Sequence, residues 1–207
     1  MGDVGGYFIH EFFLFLAMNP ILLASGSPRR KQLLEWAEIP FRIEVSNTQE
    51  DFPPDLPIAE IPIYIARNKA IAVQSAHATD EVILAADTIV VLGDHILGKP
   101  VHREEAISML LALQGSRHEV ITGVVIRQGD RELAFSDRTR VDFHELTESE
   151  IEHYVDAYKP YDKAGAYAIQ GRAEAFTRFI SGSHSNVVGL PLFETAQMLR
   201  GIGWLKP

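Results

Sequence analysis

The run Ile21-Leu22-Leu23 passes directly into Ala24-Ser-Gly-Ser-Pro-Arg-Arg30, and this junction constrains the fold more than any other part of the chain. Consecutive apolar residues without polar alternation read as a buried strand. Ser27 then stands where a helix N-cap belongs, and Pro28 suits the first helical position, where a missing N–H costs nothing. A helix over Pro28 to about Glu38 follows. Its first turn holds Arg29 and Arg30, where the positive end of the helix dipole disfavours cations. That placement is locally unfavourable unless an anion comes to the site, so the segment reads as a phosphate site. The plain alternative is a strand, a turn and a helix whose arginines point into water.

With 207 residues and 46% hydrophobic content, the chain can bury one sizeable core, with room for a small additional lobe. The formal charge of -9 argues against broad nucleic-acid or acidic-membrane binding, whereas a small anion needs only a local basic cluster. The absence of Cys excludes disulfides, thiolate metal sites and cysteine nucleophiles. Phe12 to Ala17 is strongly apolar but too short to span a bilayer, and no Lys or Arg precedes it as in a signal peptide. Residues 1–17 are therefore expected to be an N-terminal extension outside the core, with Met18 the natural start and residues 18–207 a single domain. A membrane-surface anchor is the alternative. The default expectation is a cytoplasmic protein with neither membrane nor nucleic-acid partners.

Phe41 to Val45 alternates like a half-buried strand, and Ile58 to about Ala76 reads as a helix interrupted near Pro62. Val82 to Ala86 is a buried-strand run ending at Asp87-Thr88. Ile89 to Leu92 and His95 to Leu97 then form a hairpin around Gly93-Asp94. Arg103 to Leu113 is an amphipathic helix, and a second hairpin joins His118–Arg127 to Glu132–Phe143 across Gln128-Gly129-Asp130. Thr147 opens a helix with Glu150 completing a capping box. A loop from Tyr158 to Gly171, a strand over Ala175–Ile180 and a helix over Pro191–Leu199 close the chain. Strands and helices mix without strict alternation, which predicts an α/β protein with a mixed sheet.

Asp87, immediately after a buried run, suits a general base, a metal ligand or merely a cap for the next turn. Its company shifts the balance: Lys69, Lys99, Arg29, Arg30 and Lys163 all sit at element edges or beside Gly and Pro. Each alone reads as a solvated charge. Together they supply the positive charge that a triphosphate demands. Glu50 and Asp51 add carboxylates able to hold Mg²⁺ or Mn²⁺ alongside substrate phosphates. Gln170 offers a donor and an acceptor that match the N3–H and O4 edge of uracil or thymine, although a loop amide more often satisfies backbone. His118, His144 and His153 show no metal-ligand spacing and read as structural.

Taken together, Ser25-Gly-Ser-Pro-Arg-Arg30, Glu50, Lys69-Ala70, Ala85-Ala-Asp-Thr88, Gly98-Lys-Pro100, Thr122-Gly123, Asp162 to Gly171 and Asn186-Val-Val-Gly-Leu-Pro-Leu192 run in the order of the Maf family, which the chain resembles over residues 20–200. The resemblance implies an elongated mixed β-sheet flanked by helices, with two lobes around a deep cleft of the kind shared with ITPases, often in a homodimer. It also implies hydrolysis of a nucleoside triphosphate to monophosphate and diphosphate with a divalent cation, Mg²⁺ or Mn²⁺. On this likeness Asp87 is the proton acceptor and, with Glu50, a metal ligand. Ser25, Ser27, Arg29, Arg30, Lys69, Thr88, Lys99, Lys163 and Gln170 bind substrate. The set Arg29, Thr88 and Gln170 resembles the branch acting on dTTP and UTP. In the 7-methyl-GTP branch a Trp and a Glu replace Arg29 and Gln170, as a cationic base requires. Two other readings are a nucleotide-binding regulator of septum formation and a pyrophosphatase for other non-standard nucleotides.

Overall fold

In the computed structural model, which describes residues 19–46, 48–77 and 80–204, the first strand and helix form where the sequence predicts them. Strand β1 (Ile21–Leu23) is fully buried and leads into α1 (Pro28–Trp36), whose N-cap Ser27 accepts from the Arg30 N–H. The helix stops before Glu38, which turns into the left-handed region at φ 54°. Strand β2 (Phe41–Ile43) pairs parallel to β1. Helix α2 (Ile61–His77) carries Pro62 in its first turn, so this proline opens the helix instead of interrupting it. The extension expected over residues 1–17 lies outside the described residues.

Strand β3 (Ile83–Leu92) corrects the expectation that a strand ends at Asp87. It runs unbroken because β5 (Arg117–Gln128) pairs with it in one register from Ile83↔Arg127 to Val91↔Glu119. Asp87 is therefore mid-strand, opposite Gly123, and not at the carboxyl end. The other edge of β3 is divided. β1 covers Ile83 and Leu84, β4 (His95–Leu97) covers Val90 to Leu92, and the residues between have no strand partner on that side. A cleft opens at this gap.

Helix α3 (Arg103–Leu113), strand β6 (Arg131–Phe143) and helix α4 (Glu148–Tyr158) follow, the last with the expected capping box at Thr147 and Glu150. Strand β7 (Thr177–Ser181) begins later than predicted because Arg172–Phe176 forms a 3₁₀ turn. A short helix, α5 (His184–Val188), capped by Ser183, has no counterpart in the sequence reading, and α6 (Leu192–Gly201) ends the fold. The result is a seven-stranded mixed sheet in the order β2-β1-β3-β5-β6-β7, with β4 on β3, and helices on both faces.

Side-chain alternation explains where the site falls. On one face, Leu84, Ala86 and Val124 join a core with Leu34 and Leu199, while Val90, Val120 and Val141 join another with Leu110, Ile151 and Val155. Thr88 and Thr122, opposite each other in register, separate the two. On the other face α2 packs over Ala85 and Val125 at one end and Ile89 and Ile121 at the other, with Asp87 and Gly123 between. A Cβ on Gly123 would lie 2.3 Å from the Pro62 carbonyl carbon and the Ile63 nitrogen, so only glycine lets α2 sit this close. The apolar layers are interrupted on both faces at one level of the sheet, and the cleft opens there.

Candidate active site

A cleft of about 330 Å³ lies at the gap beside β3. The β1–α1 turn from Ala24 to Arg30 forms one wall, with Glu50, Lys69, Asp87, Thr88 and Lys99 alongside, and Val90, Val120, Tyr167 and Ile169 form an apolar end. Residues scattered from position 24 to position 189 thus share one concave surface.

Asp87 is 7% exposed, and its Oδ1 accepts from the Lys69 Nζ at 2.7 Å. The same ammonium donates to Glu50 Oε1 at 2.8 Å, and Lys99 Nζ donates to Glu50 Oε2 at 2.8 Å. Burial pushes the Asp87 carboxyl above the usual carboxylate range, although Lys69 and Arg30 pull against it. Glu50 behaves oppositely: its partial burial is outweighed by the hydrogen bonds from Lys69 and Lys99, which hold it at about 2. One carboxylate is therefore tuned toward accepting a proton and its neighbour toward staying charged.

Arg30, 9% exposed, has no hydrogen bond to a carboxylate among the described residues. Its Nε donates to the Gly189 carbonyl at 2.7 Å, and its terminal nitrogens donate to Ser25 Oγ and Thr88 Oγ1, each at 3.0 Å. Burial depresses its pKa, with the Asp87 charge opposing. Since three acceptors use three of the five guanidinium N–H groups, two remain for a ligand. A buried cation held by neutral acceptors at a helix N-terminus favours an arriving anion.

Arg29 also lines the cleft and lies 3.7 Å from Asp162, whose carboxylate pairs with Lys163 at 2.5 Å. Ser25 and Ser27 line it through the turn. Lys163 and Gln170 are not among the lining residues; their neighbours Asp162 and Ile169 are. Asp51 is exposed and outside it. His118 is buried, bonded to the Tyr167 hydroxyl at 2.7 Å and lowered by burial to about 4, in keeping with a structural histidine.

Asp162, Tyr167, Gly189 and Thr122 fall within the family-matching motifs, but the sequence assigned none of them a place in the site. The usable signal was a threonine inside the apolar run Val120 to Ile126, since a buried hydroxyl requires a partner. Among the described residues no three His, Asp or Glu side chains cluster as a metal cage. Glu50 and Asp87, on either side of one ammonium, suit instead a hard cation that takes one or two carboxylates and completes its shell with phosphate and water.

A family model described as Maf-like protein matches residues 20–202. A dTTP/UTP pyrophosphatase of Bacillus cereus is 45% identical over 183 residues, which cover 88% of this chain and 95% of that protein. A dTTP/UTP pyrophosphatase of Bacillus anthracis is 46% identical with the same coverage. Among solved structures, a nucleoside-triphosphatase / dITP/XTP pyrophosphatase of Mycobacterium abscessus aligns at 13% identity and a TM-score of 0.38 over 60% of this chain and 74% of that one, a likeness too distant to carry structural detail.

Proposed function

This chain belongs to the Maf-like protein family, and from that premise we propose that it is a nucleoside triphosphate pyrophosphatase hydrolysing dTTP and UTP to the monophosphate and diphosphate. The observation that carries the reading is the pairing of buried Asp87 with Lys69 across from Arg30, a base and fixed cations on one cleft.

Asp87 takes a proton from water as the water oxygen bonds to the α-phosphorus. The bond from that phosphorus to the bridging oxygen breaks, and diphosphate leaves with the electron pair. Arg30, Lys69 and Lys99, with the N–H groups of the β1–α1 turn, offset the charge that builds on the leaving group. Ser25 and Ser27 shape that turn, and Arg29, Lys163 and Gln170 act toward the substrate from the Asp162 side. Glu50 and Asp87 would hold Mg²⁺ or Mn²⁺ together with the phosphates, and the cation would supply further charge neutralisation. Substrate arrival requires Lys69 and Lys99 to exchange carboxylate contacts for phosphate oxygens. Because free nucleotides are the proposed substrates, we place the activity in the cytoplasm, and we extend the proposal to a homodimer.

The test is diphosphate release from a panel of nucleoside triphosphates with Mg²⁺ or Mn²⁺ and after chelation, with ¹⁸O-water as solvent. Label is expected in the monophosphate. Label confined to the diphosphate would place attack at the β-phosphorus and reject the mechanism.

A further inference from the structure

Thr122 is fully buried and is not itself among the residues that line the cleft; it lies behind the lining Thr88. Its Oγ1 donates to the main-chain carbonyl of Asn186 at 3.1 Å. A threonine hydroxyl has one proton, so Thr122 can only accept from Thr88, whose Oγ1 lies 2.9 Å away. The Thr88 proton is then directed inward. What Thr88 presents toward the cleft is a lone pair, and Arg30 Nη2 donates to it at 3.0 Å.

The acceptor at the end of this chain is itself fixed. Asn186 Nδ2 donates to the Val120 carbonyl at 3.1 Å and to Thr139 Oγ1 at 2.9 Å, and Thr139 donates in turn to the Ser183 carbonyl at 3.1 Å. Every hydroxyl in the series thus has its proton assigned by geometry, from β6 through β5 to β3.

We infer that Thr122 is a positioning residue: it turns the Thr88 proton away from the cleft, so that Thr88 serves as an acceptor clamping Arg30 and not as a donor to phosphate. Thr88 has no proton left for a phosphoryl oxygen. Its effect on anion binding passes through Arg30, which keeps two N–H groups for the ligand. The inference deepens the pyrophosphatase reading and rests on it only for the identity of the anion.

The experiment measures calorimetric binding of inorganic triphosphate, with turnover of dTTP as a separate readout. Thr122→Val removes the hydroxyl at nearly constant shape, and Thr122→Ser restores it. Thr122→Val should weaken triphosphate binding about ten- to hundredfold, the scale of one hydrogen bond to a charged group, and Thr122→Ser should bind like wild type. Thr88→Val, which removes the acceptor of Arg30 itself, should cost at least as much as Thr122→Val. In an Arg30→Lys background both valine variants should lose their effect, because the clamp has nothing left to hold.

Unchanged binding by Thr122→Val, equal costs with and without Arg30, or a Thr88→Val cost that survives in Arg30→Lys would each overturn the inference. So would wild-type protein that fails to bind triphosphate. Should Thr122→Val unfold, Thr88→Val with and without Arg30→Lys decides the same point. A wild type that binds triphosphate but releases no diphosphate from dTTP or UTP would reject the pyrophosphatase reading alone.

Discussion

Lys69 donates to Asp87 across the boundary between helix and sheet, Nζ to Oδ1 at 2.7 Å, so the carboxylate on β3 is oriented by a cation whose position depends on α2. The same lysine reaches Glu50 in a loop. Three segments distant in sequence are therefore coupled through one ammonium group, and the height of α2 above the sheet sets the geometry.

Asp87→Asn keeps the shape of the side chain and removes its basicity. Turnover of dTTP and UTP is expected to fall ~10²–10⁴-fold, while substrate binding persists. Single-turnover rates with a separate binding isotherm check this; near-normal turnover would remove Asp87 from the proton transfer.

The pH dependence follows from opposite shifts in the two carboxylates. As the proposed base, Asp87 would act deprotonated, and its pKa is raised by burial, so kcat should decline on the acid side at a pH above that of an ordinary carboxylate. For stability, a raised carboxyl pKa contributes fully below the unfolded value of 3.8 and loses that contribution as pH rises through the folded pKa. Charged Asp87 therefore costs stability at neutral pH, and Asp87→Asn should melt higher than wild type at pH 7 with the gap closing near pH 3. Glu50 has the other sign: its stabilisation is present above 4.5 and is lost as pH falls toward about 2. Melting curves of wild type, Asp87→Asn and Glu50→Gln across pH 2 to 8 separate the two.

Gly123→Ala places a methyl group against the Pro62–Ile63 backbone at 2.3 Å, and a main chain cannot yield as a flexible side chain does. The expected cost is about 1–3 kcal/mol of stability, with α2 displaced and Lys69 shifted from Asp87. A lowered Tm together with a fall in kcat is the expected pair of results. A normal Tm would mean that the helix accommodates the methyl group without moving.

Specificity should depend more on Arg29 than on Gln170. Arg29 lines the cleft, whereas Gln170 stands one residue beyond the lining Ile169. Arg29→Trp removes repulsion of a cationic base and adds a stacking face, so the kcat/KM ratio of 7-methyl-GTP to UTP should rise. Gln170→Glu alone should move that ratio less, and the double variant most. A larger effect from Gln170→Glu than from Arg29→Trp would place the pyrimidine edge at Gln170.

Much was legible in the chain itself because it depends on neighbours close in sequence. Ser27-Pro28 set the start of α1, Thr147 and Glu150 capped α4, and the apolar runs at Ile21 and Val82 marked buried strands. Arg29 and Arg30 in a first helical turn were read as a phosphate site, and the fold places both on the wall of the cleft. Other features required the fold. Asp87-Thr88 resembles the end of a strand in sequence, yet β5 supplies a partner for every residue through it, and that register is a long-range property. Pro62 looks like an interruption until the loop before it makes Ile61 the first residue of α2. The gap beside β3 exists only because β1 and β4 take different parts of one edge. The direction of the Thr88 proton was decided farther away still, by a carbonyl at Asn186 that no local pattern connects to it. Caps and apolar runs are written in adjacent residues; strand partnership, helix height and proton order arise only when distant segments compete for the same acceptors and the same space.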